Sequence, residues 1–116
     1  MTSLKAGDRV ALSWSLHARH VVVPAANAYR IPDGVSFEHA ALAHIATFPM
    51  AAIRKCRLEL GEGAIVMGQG ILGQMAVLLL KAAGATPVIA ADPMAEKRER
   101  ALRPMRSWSA AKTGAR

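Results

Sequence analysis

Three glycines spaced as G-x-G-x-x-G are the feature that most constrains how this 116-residue chain can fold. They are Gly68, Gly70 and Gly73, within the segment AIVMGQGILGQMAV at residues 64–77. The spacing alone is weak evidence because glycine is common, so the flanking residues decide what it means. A short apolar run precedes the glycines and a helix-like apolar segment follows them, which predicts a turn from a strand into a helix.

The segments around the glycines predict an α/β fold with a parallel sheet. Strands are expected at 64–67 and in PVIAAD at 87–92, because continuous apolar runs are typical of buried parallel strands. A helix is expected between them at 72–83, ended by Gly84 and apolar nearly all round, which predicts packing on most of its sides. The charged segment MAEKRERALR predicts a further, amphipathic helix.

In this order of elements the glycines suit a loop that holds phosphate groups. Gly68 allows the tight turn out of the strand, Gly70 lets backbone N–H groups approach a pyrophosphate, and Gly73 allows close packing of helix on strand. The N-terminus of the helix adds further N–H groups and a partial positive charge. The alternative is that the glycines serve packing alone.

An acid follows the second strand and bears on the choice of ligand. Asp92 stands nineteen residues after Gly73. A carboxylate there can accept hydrogen bonds from both hydroxyls of an adenosine ribose and would repel a 2′-phosphate, which predicts NAD over NADP. Lys97 and Arg98 lie close by and weaken the exclusion of NADP, since a cation can serve either nucleotide. The alternative is that Asp92 merely ends a strand.

Short strands and turns are predicted before the glycine segment. The sequences GDRVAL and HVVVP indicate strands near 10–12 and at 20–24. Proline and glycine in IPDGV predict a turn at 32–34.

Two helices are predicted after that turn. Ser36 is a candidate N-cap, with Glu38 in the first turn. The helices are expected at 37–43 and 48–57, with a bend at Ala46–Thr47, because Pro49 is best tolerated in a first turn.

Composition excludes several classes of function. The net charge of +7 is concentrated at the C-terminus, where residues 97–116 hold seven Lys or Arg and a single acid. With 4% aromatic residues and no recognised motif, specific nucleic-acid binding is not predicted. The longest uncharged run, 64–80, contains glycines and glutamines and predicts no membrane helix. The single cysteine, Cys56, fits a reducing, cytoplasmic setting and is interpreted as a packing residue.

Most of the chain resembles a known family. The segments GDRVALSW, VVVP, IPDGVSFEHAAL and the βαβ unit with its acid, together spanning about residues 4–102, resemble the medium-chain, zinc-type alcohol dehydrogenase superfamily. The resemblance implies a remnant of a GroES-like catalytic domain at 1–36 and connecting helices at 37–57. It also implies the first βαβ(α) unit of a Rossmann NAD(P)-binding domain at 58–103. Residues 104–116 form an atypical basic tail, expected to be disordered.

The same resemblance implies an NAD(P)-dependent oxidoreductase that moves a hydride between the nicotinamide and a small alcohol or carbonyl substrate. Gln69 would lie in the loop backbone near the pyrophosphate. The dinucleotide contacts that it implies are Gly68, Gly70, Ile71, Leu72, Gly73, Asp92 and Lys97.

The family's zinc ligands have few counterparts here. The usual Cys of one ligand region falls on Ala43, next to His44. His44 is a candidate zinc ligand or polar substrate contact; the alternative, which we favour, is a lone histidine between two helices. Neither His17 and His20 nor His39 and His44 are spaced to share a face. Zinc is therefore expected in the family but not in this chain.

The chain is interpreted as a fragment that is inactive by itself. An internal start at Met1 and an altered reading frame or early stop near Arg103 are expected, because the family pattern is lost there. Two alternatives stay open: a non-catalytic dinucleotide-binding module that pairs with other copies through exposed strand edges, and a nonfunctional gene product.

Overall fold

The computed structural model describes residues 4–14 and 17–103, so the predicted basic tail at 104–116 lies outside the described residues. The chain divides into two units, Met1–Ile45 and Ala46–Arg116. This division falls inside the segment 37–57 that was interpreted as connecting helices.

A two-stranded antiparallel sheet organises the first unit. Strand β1, Val10–Leu12, pairs with β2, Ala28–Arg30, with Val10 opposite Arg30. A short 3₁₀ helix, Ala25–Asn27, precedes β2. The Asp8 carboxylate binds the Arg30 guanidinium at 2.5 Å beside the sheet.

The strand predicted at 20–24 is not formed. Residues 21–24 have no regular structure, and the Val22 side chain is fully exposed. The partner of β1 is instead the segment after the 3₁₀ helix, where backbone bonds from Ser13 N–H to Asn27 O and from Ile31 N–H to Arg9 O extend the ladder. A β-branched run has strand propensity, but a strand forms only where another strand pairs with it.

The turn and helix start predicted next are confirmed. Val35 N–H bonds to Pro32 O at 3.2 Å, and Gly34 has a φ of +83°. Helix α1, Phe37–Ala41, is capped by the Ser36 hydroxyl, which accepts from the N–H of the third helical residue at 3.2 Å. The Arg9 guanidinium lies 4.6 Å over the Phe37 ring and links β1 to α1.

The break between the next two helices lies earlier than predicted. Helix α2 spans Ala43–Cys56, so the chain breaks at Leu42 and not at Ala46–Thr47. Pro49 lies inside α2 with its ring buried. A proline there removes one backbone hydrogen bond and disfavours the helix, but burial of its apolar ring offsets part of that cost.

The second unit contains a parallel βαβ arrangement, which confirms the predicted α/β class. Strand β3, Ala64–Met67, pairs in parallel with β4, Val88–Ala91, and helix α3, Ile71–Ala82, connects them. Val77 and Leu80 of α3 are buried. A further helix, α4, covers residues 95–103 up to the end of the described residues.

Much of this unit's apolar surface is exposed. Alternate residues of β3 are half-buried, whereas Ile65 and Met67 are 65% and 85% exposed. Ile71 and Leu72 at the start of α3 are also exposed, whereas most of the other residues of this helix are buried or half-buried. No helix among them combines the length and apolarity needed to cross a bilayer.

Candidate functional site

The glycine loop runs from the end of β3 to the start of α3 and is attached to the sheet at its first residue. Gly68 has a φ of +85°, a conformation that favours glycine, and its N–H donates to Ala91 O of β4 at 2.7 Å. Gly70 is the N-cap of α3 and contributes no side chain to cap it. The loop is thus fixed to the sheet while the first N–H groups of α3 are left uncapped by a side chain.

The glycines of the loop differ in their surroundings. A Cβ built on Gly73 would lie 1.8 Å from Gly68 O, a distance that no real contact allows. A Cβ on Gly70 would meet no atom of residues 4–14 or 17–103 within 4 Å. Packing therefore requires glycine at position 73, whereas the space in front of Gly70 is free for a ligand.

Asp92 follows β4 and binds the glycine loop directly. Its Oδ2 accepts from Gln69 N–H at 2.7 Å, and its Oδ1 accepts from Met94 N–H at 2.8 Å. These two backbone donors hold the pKa of the Asp92 carboxyl below its ordinary value of 3.8, with smaller contributions from the charges of Lys97 and Arg98. Each carboxylate oxygen can accept more than one hydrogen bond, so the ionised group keeps capacity for ligand hydroxyls.

The two cations predicted near Asp92 lie at the start of α4. Arg98 Nη1 donates to the backbone oxygens of Asp92 and Pro93 at 2.5 and 3.0 Å. Lys97 is half-buried, and its charge acts on Asp92. A carboxylate and two cations therefore meet at the end of β4.

Two glutamine side chains bind the loop in a way that the sequence reasoning missed. Gln69 is completely buried, and its Nε2 donates to Val66 O at 2.8 Å. Gln74 Nε2 donates to Gln69 O at 3.0 Å. The sequence feature that could have indicated these contacts is the presence of two polar, uncharged residues within an otherwise apolar segment.

The Gln69 side chain is incompletely satisfied. Its Oε1 is a buried side-chain atom with no hydrogen-bond partner among the described residues. Leaving such an atom unpaired costs on the order of 1–3 kcal/mol.

The remaining predicted site residues lie on helices. Ile71 and Leu72 begin α3, where the backbone N–H groups have no intrahelical acceptor. His44 lies on α2, with its ring edge-to-face with Trp14 at 5.4 Å between centroids. Cys56 is exposed at the end of α2, so its interpretation as a packing residue is wrong.

The described residues do not fit a metal ion. Within 4–14 and 17–103, no three His, Cys, Asp or Glu side chains come together in a group that could hold one. These residues fit a dinucleotide better than a metal ion. The open face of Gly70 and the start of α3 belong to the loop after β3, and Gln69 N–H of that loop donates to the ionised Asp92 at the end of β4.

Sequence comparisons place this arrangement among dehydrogenases, although no family model matches the chain. D-guloside 3-dehydrogenase of Escherichia coli is 33% identical over 100 residues, which cover 84% of this chain and 28% of that protein. Human sorbitol dehydrogenase is 35% identical over 77 residues, covering 66% of this chain and 22% of that protein. The chain thus spans less than a third of the length of these relatives.

A solved structure supports the same relationship. The crystal structure of a proposed zinc-binding dehydrogenase from Clostridium scindens matches with a TM-score of 0.62 and 25% identity. The match covers 78% of this chain and 29% of that one. Sequence and structure agree, and the chain belongs to the medium-chain, zinc-type alcohol dehydrogenase superfamily.

Proposed function

We propose that this chain binds NAD through its glycine loop and Asp92, as the dinucleotide-binding part of an oxidoreductase. The observation that carries the proposal is the hydrogen bond between Gln69 N–H and the Asp92 carboxylate, which sets an ionised acid against an open, glycine-lined loop. Asp92 would accept the ribose hydroxyls. The remaining contacts would come from the loop, the start of α3 and α4, through Gly68, Gly70, Ile71, Leu72, Gly73 and Lys97.

The charge around Asp92 favours NAD over NADP. A 2′-phosphate would meet the ionised carboxylate, whose two oxygens already accept from backbone N–H groups. Arg98 lies beside Asp92 and could offset part of that repulsion, but its Nη1 is bound to two backbone oxygens. We therefore expect selectivity for NAD that is moderate in size, because Lys97 and Arg98 remain close.

Hydride transfer between NAD and an alcohol or carbonyl is proposed only for the protein at the length of its relatives. In such a reaction the oxidised cofactor would accept the hydride of an alcohol, and the reduced cofactor would donate one to a carbonyl. The relatives' names include a sorbitol and a D-guloside dehydrogenase, which makes polyols and sugar derivatives the substrate class to test first. No step through zinc is derived, because the described residues do not fit the metal.

For the 116-residue chain alone we propose NAD binding without turnover. His44 stays a candidate substrate contact. A nonfunctional product is the alternative, and it predicts no NAD binding. We also propose a cytoplasmic location. We further propose that copies of the chain associate through the edges of β3 and β4, which light scattering across a range of protein concentrations tests.

A titration with NAD tests the proposal. We expect NAD to raise the melting temperature of the purified chain equally with and without added zinc, and no NADH to form with sorbitol. Asp92→Asn should weaken NAD binding by about tenfold or more, because it removes a charged acceptor. Asp33→Asn, at an exposed turn in the other unit, is the matched control. Equal melting temperatures with and without NAD would contradict the proposal.

A further inference from the structure

Gln74 holds two consecutive carbonyl groups of the glycine loop. Its backbone N–H donates to Gly70 O at 3.0 Å, as expected in the first turn of a helix. Its side-chain Nε2 donates to Gln69 O, also at 3.0 Å. One residue thus fixes the peptide groups on both sides of Gly70.

The orientation of these carbonyls determines where the adjacent N–H groups point. A trans peptide is planar, with its C=O and N–H pointing in opposite directions. The cis bond found among the described residues, Thr86–Pro87, lies elsewhere. Because Gln74 holds the oxygens of Gln69 and Gly70, and each peptide is planar and trans, the N–H groups of Gly70 and Ile71 point away from the Gln74 donors.

Such restraint matters most at Gly70. Glycine has the greatest backbone freedom of any residue, and this one carries no side chain to hold the start of α3. The preceding residue is held in two further ways, by Gln69 N–H on Asp92 and by Gln69 Nε2 on Val66 O. Donors held in place before a ligand arrives bind it more tightly, because less conformational entropy is lost on binding.

We propose that Gln74 is a positioning residue for the pyrophosphate of the dinucleotide, acting by orienting the N–H groups of Gly70 and Ile71. The inference rests on the proposed function, because it presumes that the loop binds a dinucleotide. It assigns Gln74 no contact with the ligand. Gln69 is held from the other side by its own side chain, which donates to Val66 O at the end of β3.

Amide NMR on the full chain tests the inference with three probes: NAD, inorganic pyrophosphate and adenosine. In the unaltered protein, NAD and pyrophosphate should shift the amide signals of Gly70 and Ile71, whereas adenosine should shift signals near Asp92. Gln74→Met removes the side-chain donor and keeps the helical backbone. We expect it to weaken pyrophosphate and NAD binding by about tenfold while adenosine binding is unchanged. Ala82→Met, at an exposed position on the same helix, is the control.

The outcomes separate the two proposals. If NAD shifts no amide of the unaltered protein, the proposed function fails and the inference fails with it. If the unaltered protein binds NAD and Gln74→Met binds it equally well, only the inference is overturned. Equal weakening of adenosine and pyrophosphate would also overturn it, since a general loosening of α3 predicts that result.

A second measurement avoids dependence on the variant's folding. In the unaltered chain the Gln74 side-chain N–H protons should exchange slowly with solvent, because one of them is bonded to Gln69 O. Fast exchange of these protons would contradict the inference, because it would mean that the bond from Gln74 Nε2 to Gln69 O is not held.

Discussion

At the scale of single residues, Gly73 and Gly70 serve different ends although they belong to one motif. Gly73→Ala would force a methyl group to within 1.8 Å of Gly68 O unless α3 moves away from the loop. We expect it to lower the free energy of unfolding by about 3 kcal/mol or more, at the upper end of overpacking effects. Urea denaturation followed by circular dichroism measures this loss.

Gly70→Ala is the matched comparison and should show the reverse pattern. The added methyl group meets no atom of the described residues within 4 Å, and the φ of −71° suits alanine, so stability should change by less than about 1 kcal/mol. NAD binding should nevertheless fall, because the methyl group occupies the space in front of the loop. A stable Gly73→Ala variant, or full NAD affinity in Gly70→Ala, would refute this division of roles.

At the scale of elements, the βαβ unit could be predicted closely because its signals are local. Strand β3 was predicted at its observed residues, and α3 within one residue at each end. Apolar runs and glycine stops determine such elements without reference to the rest of the chain. The α3 terminus shows this, since Gly84, with a φ of +92°, closes the helix by its own hydrogen bond to Lys81 O.

The errors arose where distant partners decide the structure. The run at 20–24 has strand propensity, but β1 pairs with Ala28–Arg30, a choice that no local pattern encodes. The glycines and Asp92 were predicted as site residues from spacing, and whether they bind NAD remains a prediction. The roles of Gln69 and Gln74 could not be predicted, because a glutamine side chain has no fixed direction until the helix and loop exist.

The helix stop gives a prediction at this scale. Gly84→Ala places an alanine in the left-handed region, and its methyl group meets nothing within 4 Å in the part of the chain that the structure describes, so we expect a loss of about 1 kcal/mol in the free energy of unfolding. Gly84→Asn should lose less, since asparagine tolerates this conformation better. Chemical denaturation of both variants measures the difference. Equal stability of the Gly84→Ala variant and the unaltered protein would contradict the role of Gly84 in ending α3.

At the scale of the whole molecule, three carboxylates distributed over the two units each make the folded state less stable in acid. Hydrogen bonds from backbone N–H groups are the leading cause that lowers the pKa of Asp8, Glu38 and Asp92; Lys5 N–H is the main donor for Asp8 and Gln69 N–H for Asp92. A group with a lowered folded-state pKa binds its proton more readily when unfolded. Its contribution is therefore present above its ordinary pKa, 3.8 for the aspartates and 4.5 for Glu38, and is lost as pH falls through the folded value.

The melting temperature should accordingly be flat above about pH 5 and should fall at lower pH. Asp92→Asn should reduce the slope of melting temperature against pH below pH 4, because the substituted side chain no longer titrates.

The net charge of +7 also disfavours the folded state in acid, but that repulsion acts over distance and is screened by salt. Short hydrogen bonds such as the 2.7 Å bond from Gln69 N–H to Asp92 are screened much less. Most of the slope should therefore persist when melting is repeated in 0.5 M salt, about five times the ionic strength at which the screening length is 10 Å. A slope that disappears in salt would assign the acid sensitivity to net charge and not to these carboxylates.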